Sequence, residues 1–130
     1  MSNFCWFAGG GWSDIQDERR ILVLVNPKSG PGRARDIFQQ KVAPLLADAD
    51  IGYDLHISKH ANYVREYVRN RDLSQWRAVV AVGGDGIIFE VINGLFERAD
   101  WQRIVENLPI GVVPCGSGNG LAKSIAALYE

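Results

Sequence analysis

The sequence predicts an α/β fold: an open, mainly parallel sheet with helices on both faces. Two continuous branched apolar runs, residues 21–25 (ILVLV) and 78–82 (AVVAV), have the character of strands buried on both faces. Segments of helical period alternate with the strand-like runs, and three of the runs stop at turns rich in glycine or proline. Alternation at this spacing makes right-handed βαβ units, and therefore a parallel sheet.

Residues 1–20 hold Gly9, Gly10 and Gly11 among aromatics, then a charged stretch, with no sustained period; they read as a poorly ordered or loosely docked leader. The first strand, 21–25, stops at Asn26-Pro27-Lys28-Ser29-Gly30-Pro31-Gly32. Phe38, Val42, Leu45, Leu46 and Ala49 then fall at helical spacing, and Pro44 inside that pattern is expected to kink or split the helix. Tyr53, Leu55 and Ile57 alternate with Asp54, His56 and Ser58, which predicts a strand with one polar face. Asn62 is placed to cap a helix carrying Val64, Tyr67 and Val68. The run 78–82 ends abruptly at Gly83-Gly84-Asp85-Gly86, and a helix follows with Ile88, Val91, Ile92 and Leu95 on one face. Asp100 is placed to cap a short helix from Trp101 to about Asn107. Ile110-Gly111-Val112-Val113 is the last strand; it enters Pro114-Cys115-Gly116-Ser117-Gly118-Asn119-Gly120, and Leu121 opens a final helix. Residues 21–130 thus read as one α/β unit.

Composition narrows the function. A chain of 130 residues with 47% hydrophobic and 22% charged residues forms one compact domain rather than a disordered segment. Lys+Arg 14 against Asp+Glu 15 leaves a net charge of −1 without a clustered basic face, so nucleic acid is not an expected partner. No window approaches the ~18 apolar residues of a membrane span. The opening residues lack a basic leader, and Cys5 and Cys115 make neither a disulfide framework nor a zinc pattern. A soluble, intracellular protein is expected.

The chemistry lies in the turns. Ligands of open parallel sheets bind at the carboxyl ends of the strands, where the turns after Val25, Val82 and Val113 fall. Glycine there lets backbone N–H groups approach an anion, and the helix behind each turn adds its N-terminal partial charge. Three such turns together point to a nucleotide or a phosphorylated ligand. Asp85 sits where a carboxylate caps the next helix, binds a metal or accepts a proton. Lys28 suits a phosphate contact but equally a solvated loop, and Lys123, Arg33 and Arg35 are ordinary on exposed helix faces. His56 and His60 lack metal-ligand spacing, and Cys115 reads as a small buried side chain. Known motifs fail on inspection. A Walker A loop would need lysine at Ser117, and a dinucleotide fingerprint would need its glycines after the first strand. A nucleophile elbow would need glycine at Cys115, so Ser117 is a poor nucleophile candidate. Phosphate-cradling turns with one well-placed carboxylate suit phosphoryl transfer to a hydroxyl.

Asn26-Pro27-Lys28-Ser29-Gly30, Gly83-Gly84-Asp85-Gly86 and Gly116-Ser117-Gly118-Asn119 resemble, as a set, the motifs of the diacylglycerol kinase catalytic-domain superfamily of lipid kinases. Within it, the stretch from Gly84 through Glu90 to Leu95, the Pro114-Cys115-Gly116-Ser117-Gly118-Asn119 loop and Arg98-Ala99-Asp100-Trp101 most resemble the sphingosine kinase branch. Two residues depart from that branch: Gly83 stands where serine is usual, and Phe89 where histidine is.

The resemblance implies a Rossmann-like N-terminal subdomain of a diacylglycerol-kinase-type catalytic domain, using ATP and Mg2+ to phosphorylate the primary hydroxyl of sphingosine. Diacylglycerol, ceramide or NAD as acceptor, and a catalytically silent nucleotide-binding module, are the alternatives. By the same resemblance Asp85 matches the catalytic base. Asn26, Pro27, Lys28, Ser58, Lys59, His60, Ala61, Asn62, Glu90, Gly116, Ser117 and Gly118 match nucleotide-contact positions. Gly83, Gly84, Asp85 and Gly86 match the substrate segment, and no residue is assigned as a protein metal ligand. The branch further implies a sphingoid lipid substrate, a cytoplasmic location with peripheral membrane contact in the full-length enzyme, and a β-rich lipid-binding domain beyond this region. The 130 residues alone are therefore expected to show little transfer.

Overall fold

The computed structural model describes residues 18–28 and 32–115, together with the backbone of Cys5–Phe7. Five strands, β1 (Cys5–Phe7), β2 (Arg20–Val25), β3 (Tyr53–Ile57), β4 (Trp76–Gly83) and β5 (Ile110–Pro114), form one sheet in the order β1-β5-β4-β2-β3. The four strands from β2 to β5 run parallel, and β1 pairs antiparallel to β5 at the edge. That edge strand lies within the stretch read as a leader. Three residues are too short to show a strand period in sequence.

Side chains alternate across the sheet. Ile21, Val23, Val25, Ala78, Val80, Val82 and Val113 meet α1 (Ala34–Ile37), a π-helical turn (Phe38–Val42) and α2 (Ala43–Asp48) on one face. Leu22, Leu24, Val79, Ala81, Ile110 and Val112 meet α3 (Tyr63–Asn70), α4 (Asp85–Phe96) and α5 (Trp101–Asn107) on the other. The α/β class with helices on both faces is as the sequence predicts. The proline effect also appears: Pro44 opens α2, and the turn before it widens, with the Ala43 N–H reaching the Phe38 carbonyl five residues back.

The polar face expected of β3 is half-buried rather than fully solvated. A bulge at the start of β4 pairs Arg20 with Trp76 and Ile21 with Ala78. Trp76 then joins the α3-side core, and its indole N–H donates to Asp54 at 2.9 Å. That bond, ahead of the Arg20 contacts, holds the Asp54 carboxyl below its usual range. His56 Nε2 lies 3.1 Å from the Tyr67 hydroxyl. Burial, then the nearby Arg71 charge, pushes the His56 imidazole down, and burial pushes the Tyr67 phenol up, so the phenol donates and a neutral imidazole accepts. The unfolded chain therefore binds the His56 proton at a higher pH than the folded one does. Stability rises with pH through the window below about 6.5 and is lost as pH falls through it. Melting temperatures measured between pH 5 and 8 (a range spanning the ordinary His pKa of about 6.5) are expected to fall less steeply on acidification in His56→Gln than in the wild type.

Two expected helix caps are corrected. Asn62 precedes α3 in the left-handed conformation (φ 66°), and its side chain makes no capping bond. Asp100 precedes α5 without capping it, because Arg98 (2.8 Å) and Arg103 (3.0 Å) take its carboxylate. Arg98, whose side chain is 11% exposed, also donates to the carbonyls of Val68, Arg69 and Arg71 and so closes the C-terminal end of α3.

Candidate active site

The strand order reverses between β2 and β4, since the chain leaves β2 for β3 on one side and crosses to β4 on the other. In such sheets the crevice at the carboxyl ends of the two central strands is the ligand site. The parallel register brings those ends level: Val25 stands opposite both Ile57 and Val82.

Each turn is built by its own residues. Asn26 donates its N–H to the Val82 carbonyl (3.0 Å), and its side-chain oxygen accepts from the Lys28 N–H (3.0 Å), a local turn that Pro27 stiffens. Ser58 donates its N–H to the Val25 carbonyl (2.8 Å) and its hydroxyl to the His60 carbonyl (3.2 Å). The Lys59 ammonium lies 5.8 Å from the centre of the Tyr63 ring, which the His60 ring meets edge-on. On β4, Gly83 accepts the Cys115 N–H (3.0 Å), extended Gly84 leads into α4, and Asp85 is that helix's first residue. A carboxylate in the first turn sits at the favourable end of the helix dipole. Asp85 is therefore not the residue before the helix that an N-cap would be.

The turns after β2 and β3, with Glu90 of α4, enclose a cleft of about 250 Å³ lined by Asn26, Pro27, Lys28, Ser58, Lys59, His60, Ala61 and Glu90. Eight of the predicted nucleotide-contact positions thus surround one void, although they lie up to 64 residues apart in sequence (26 to 90). Asn62 and the Gly83, Gly84, Asp85 and Gly86 segment stand outside the lining. Gly116, Ser117 and Gly118, and the helix expected from Leu121, lie outside the described residues.

The sequence reading missed how the cleft's walls are joined. Glu90 Oε1 accepts the N–H groups of Val64 (3.1 Å) and Arg65 (3.4 Å), in the first turn of α3. Arg65 and Arg69 of α3 pair with Glu97 just beyond α4. Arg98, the other tie, left only a weak signal in sequence: a basic residue soon after a helix whose partners lie about 30 positions back. Cys115 is a free, partly buried thiol whose pKa burial pushes up to about 11, so it stays protonated and packs as a small apolar group. Phe89, 54% exposed, shares the outer face of α4 with Asp85 one turn earlier. Among the described residues no three His, Cys, Asp or Glu side chains group as a metal cage, and no helix is long and apolar enough to cross a membrane.

A family model, the diacylglycerol kinase catalytic domain, matches residues 20–127. The chain belongs to that family. Curated relatives include sphingosine kinase 1 of Homo sapiens, 43% identical over 118 residues, a match that covers 91% of this chain and 30% of that protein. Sphingosine kinase 2 of Arabidopsis thaliana is 47% identical over 107 residues, covering 82% of this chain and 22% of that protein. The chain therefore spans less than a third of the length of these relatives. Among solved structures, a diacylglycerol kinase from Bacillus anthracis superposes with a TM-score of 0.62 at 26% identity, over 82% of this chain and 34% of that one.

Proposed function

We propose that this chain carries the nucleotide-binding half of an ATP-dependent lipid kinase that phosphorylates the primary hydroxyl of sphingosine to sphingosine 1-phosphate. The cleft at the switch point carries this reading. Lys28 and Lys59 bring positive charge to it, Ser58 and the ordered Asn26 turn bring hydrogen-bonding groups, and Pro27 and Ala61 bring apolar wall. That mixture suits a nucleotide. Magnesium suits it as well, because this ion is ordinarily held by nucleotide phosphates with one or two carboxylates rather than by a protein cage. The relatives' names supply the acceptor, a sphingoid base.

When bound, Mg·ATP supplies the phosphoryl group, with ADP as leaving group. The Asp85 carboxylate accepts the proton of the lipid hydroxyl as that oxygen bonds to phosphorus and the bond to the ADP oxygen breaks. Lys28 and Lys59 offset phosphate charge, and Gly116, Ser117 and Gly118 add backbone N–H donors. Phe89, on the same helix face as Asp85, offers an apolar surface to the hydrocarbon chain beside the hydroxyl. Peripheral membrane contact follows from where such a substrate resides.

A thermal-shift titration with Mg·ATP tests the nucleotide half of this proposal. At ~100 times its Kd, a ligand of the folded state alone adds about 2.7 kcal/mol. The shift is expected in the wild type and absent in Gly118→Asp, whose carboxylate repels phosphate. Transfer of labelled γ-phosphate by the full-length enzyme to sphingosine, diacylglycerol and ceramide in parallel identifies the acceptor. A folded chain with no shift removes the nucleotide reading, and preference for diacylglycerol or ceramide removes the sphingosine assignment.

A further inference from the structure

We infer that Glu90 is a positioning residue of the nucleotide cleft, acting through the backbone of α3 rather than through its charge on the ligand; the inference rests on the nucleotide reading above. The N-terminal N–H groups of a helix need acceptors, ordinarily supplied by the residue that precedes it. Asn62 cannot serve, because its left-handed backbone leaves its side chain without a capping bond. Glu90 replaces it from another helix, with one oxygen taking the N–H groups of Val64 and Arg65.

That bond lies at a mechanically decisive place. Ser58, Lys59, His60 and Ala61, which form one wall of the cleft, run directly into the capped end of α3. Glu90 itself lies on α4, five residues after Asp85 at the head of that helix. One side chain therefore ties the loop at the cleft to the helix that Asp85 begins. The rest of the α3–α4 contact supports the same alignment. Gly94 lets the α4 backbone approach the Arg65 carbonyl, and Arg98 fastens the far end of α3. α3 is thus held at its start by Glu90 of α4 and at its end by Arg98, just beyond α4.

The two possible roles respond differently to an isosteric change. Glutamine keeps an oxygen acceptor of the same reach and loses the charge; alanine loses both. The 130-residue chain is studied as wild type, Glu90→Gln and Glu90→Ala, by Mg·ATP titration and by amide hydrogen exchange at Val64 and Arg65. Losing that acceptor lowers the fraction of molecules that hold the loop in its binding geometry, and the apparent affinity falls by the same factor, roughly tenfold. Glu90→Ala is expected to bind Mg·ATP roughly tenfold more weakly, with the Val64 and Arg65 amides exchanging faster. Glu90→Gln is expected to keep both the affinity and the slow exchange. Equal loss of affinity in the two variants, with the amides still protected in Glu90→Gln, overturns the positioning role while leaving the nucleotide reading intact. Unprotected amides at Val64 and Arg65 in the wild type overturn the cap itself. A wild type whose amides are protected but which does not bind Mg·ATP overturns the nucleotide reading, and with it the role of Glu90 at that cleft.

Discussion

In the full-length enzyme, Asp85→Asn is expected to lower phosphoryl transfer to sphingosine by roughly 10²–10⁴-fold, the usual worth of a positioned general base, while Mg·ATP affinity is unchanged. The substitution keeps size and shape at the head of α4, where Gly84 is extended and Asp85 begins the helix. What it removes is basicity. An amide oxygen still accepts a hydrogen bond from the lipid hydroxyl but cannot take its proton as the new bond forms. The accompanying loss of a negative charge in the first helical turn removes about 0.3–1 kcal/mol of helix-dipole stabilisation. The readouts are extracted labelled lipid for turnover and a thermal-shift titration for binding. Transfer retained within tenfold of wild type would remove Asp85 from the role of base (a base worth roughly 10²-fold or more cannot be so lightly dispensed with). Parallel loss of transfer and nucleotide affinity would place it among the nucleotide contacts instead.

One substitution, glycine to alanine, is expected to act with opposite sign at two positions of α4. A Cβ at Gly94 would lie 2.6 Å from the Arg65 carbonyl oxygen and 3.1 Å from Val68 Cβ. The first neighbour is backbone, so relief requires α3 and α4 to separate over a core that includes Val64, Val68, Val91 and Leu95. Overpacking of this kind costs about 1–3 kcal/mol, more than the helix propensity gained. At Gly86 a Cβ meets nothing within 4 Å. Alanine there is expected to stabilise the helix by about 0.5–1 kcal/mol through lower backbone entropy in the unfolded chain. Urea denaturation of both variants decides this. A Gly94→Ala protein as stable as wild type would mean that the two helices do not approach so closely.

Most of the fold was legible because its signals are local. The runs 21–25 and 78–82 declare buried strands by branched side chains alone, and Pro44 declares a break because a missing N–H cannot be hidden. The edge strand at Cys5–Phe7 was not legible, since three residues paired to β5 carry no periodicity of their own. Asn62 and Asp100 had the right side chains in the right places for caps. The competition was out of sight: a left-handed backbone at one, two arginines at the other.

The candidate site divides along the same line. Sequence by itself determined the family, and it offered the chemistry as an expectation: an Asn-Pro-Lys turn, a glycine pair before an aspartate, and contact positions implied by the resemblance. Local stereochemistry and motif spacing suffice for that, because each motif is contiguous. Only the tertiary structure decided that residues 26–28, 58–61 and 90 face one void, because parallel register levels the ends of β2, β3 and β4. It alone decided, too, that Glu90 closes the start of α3. An acceptor 26 residues away from its donor leaves no trace in spacing or period; it exists only once the sheet has brought the two helices side by side.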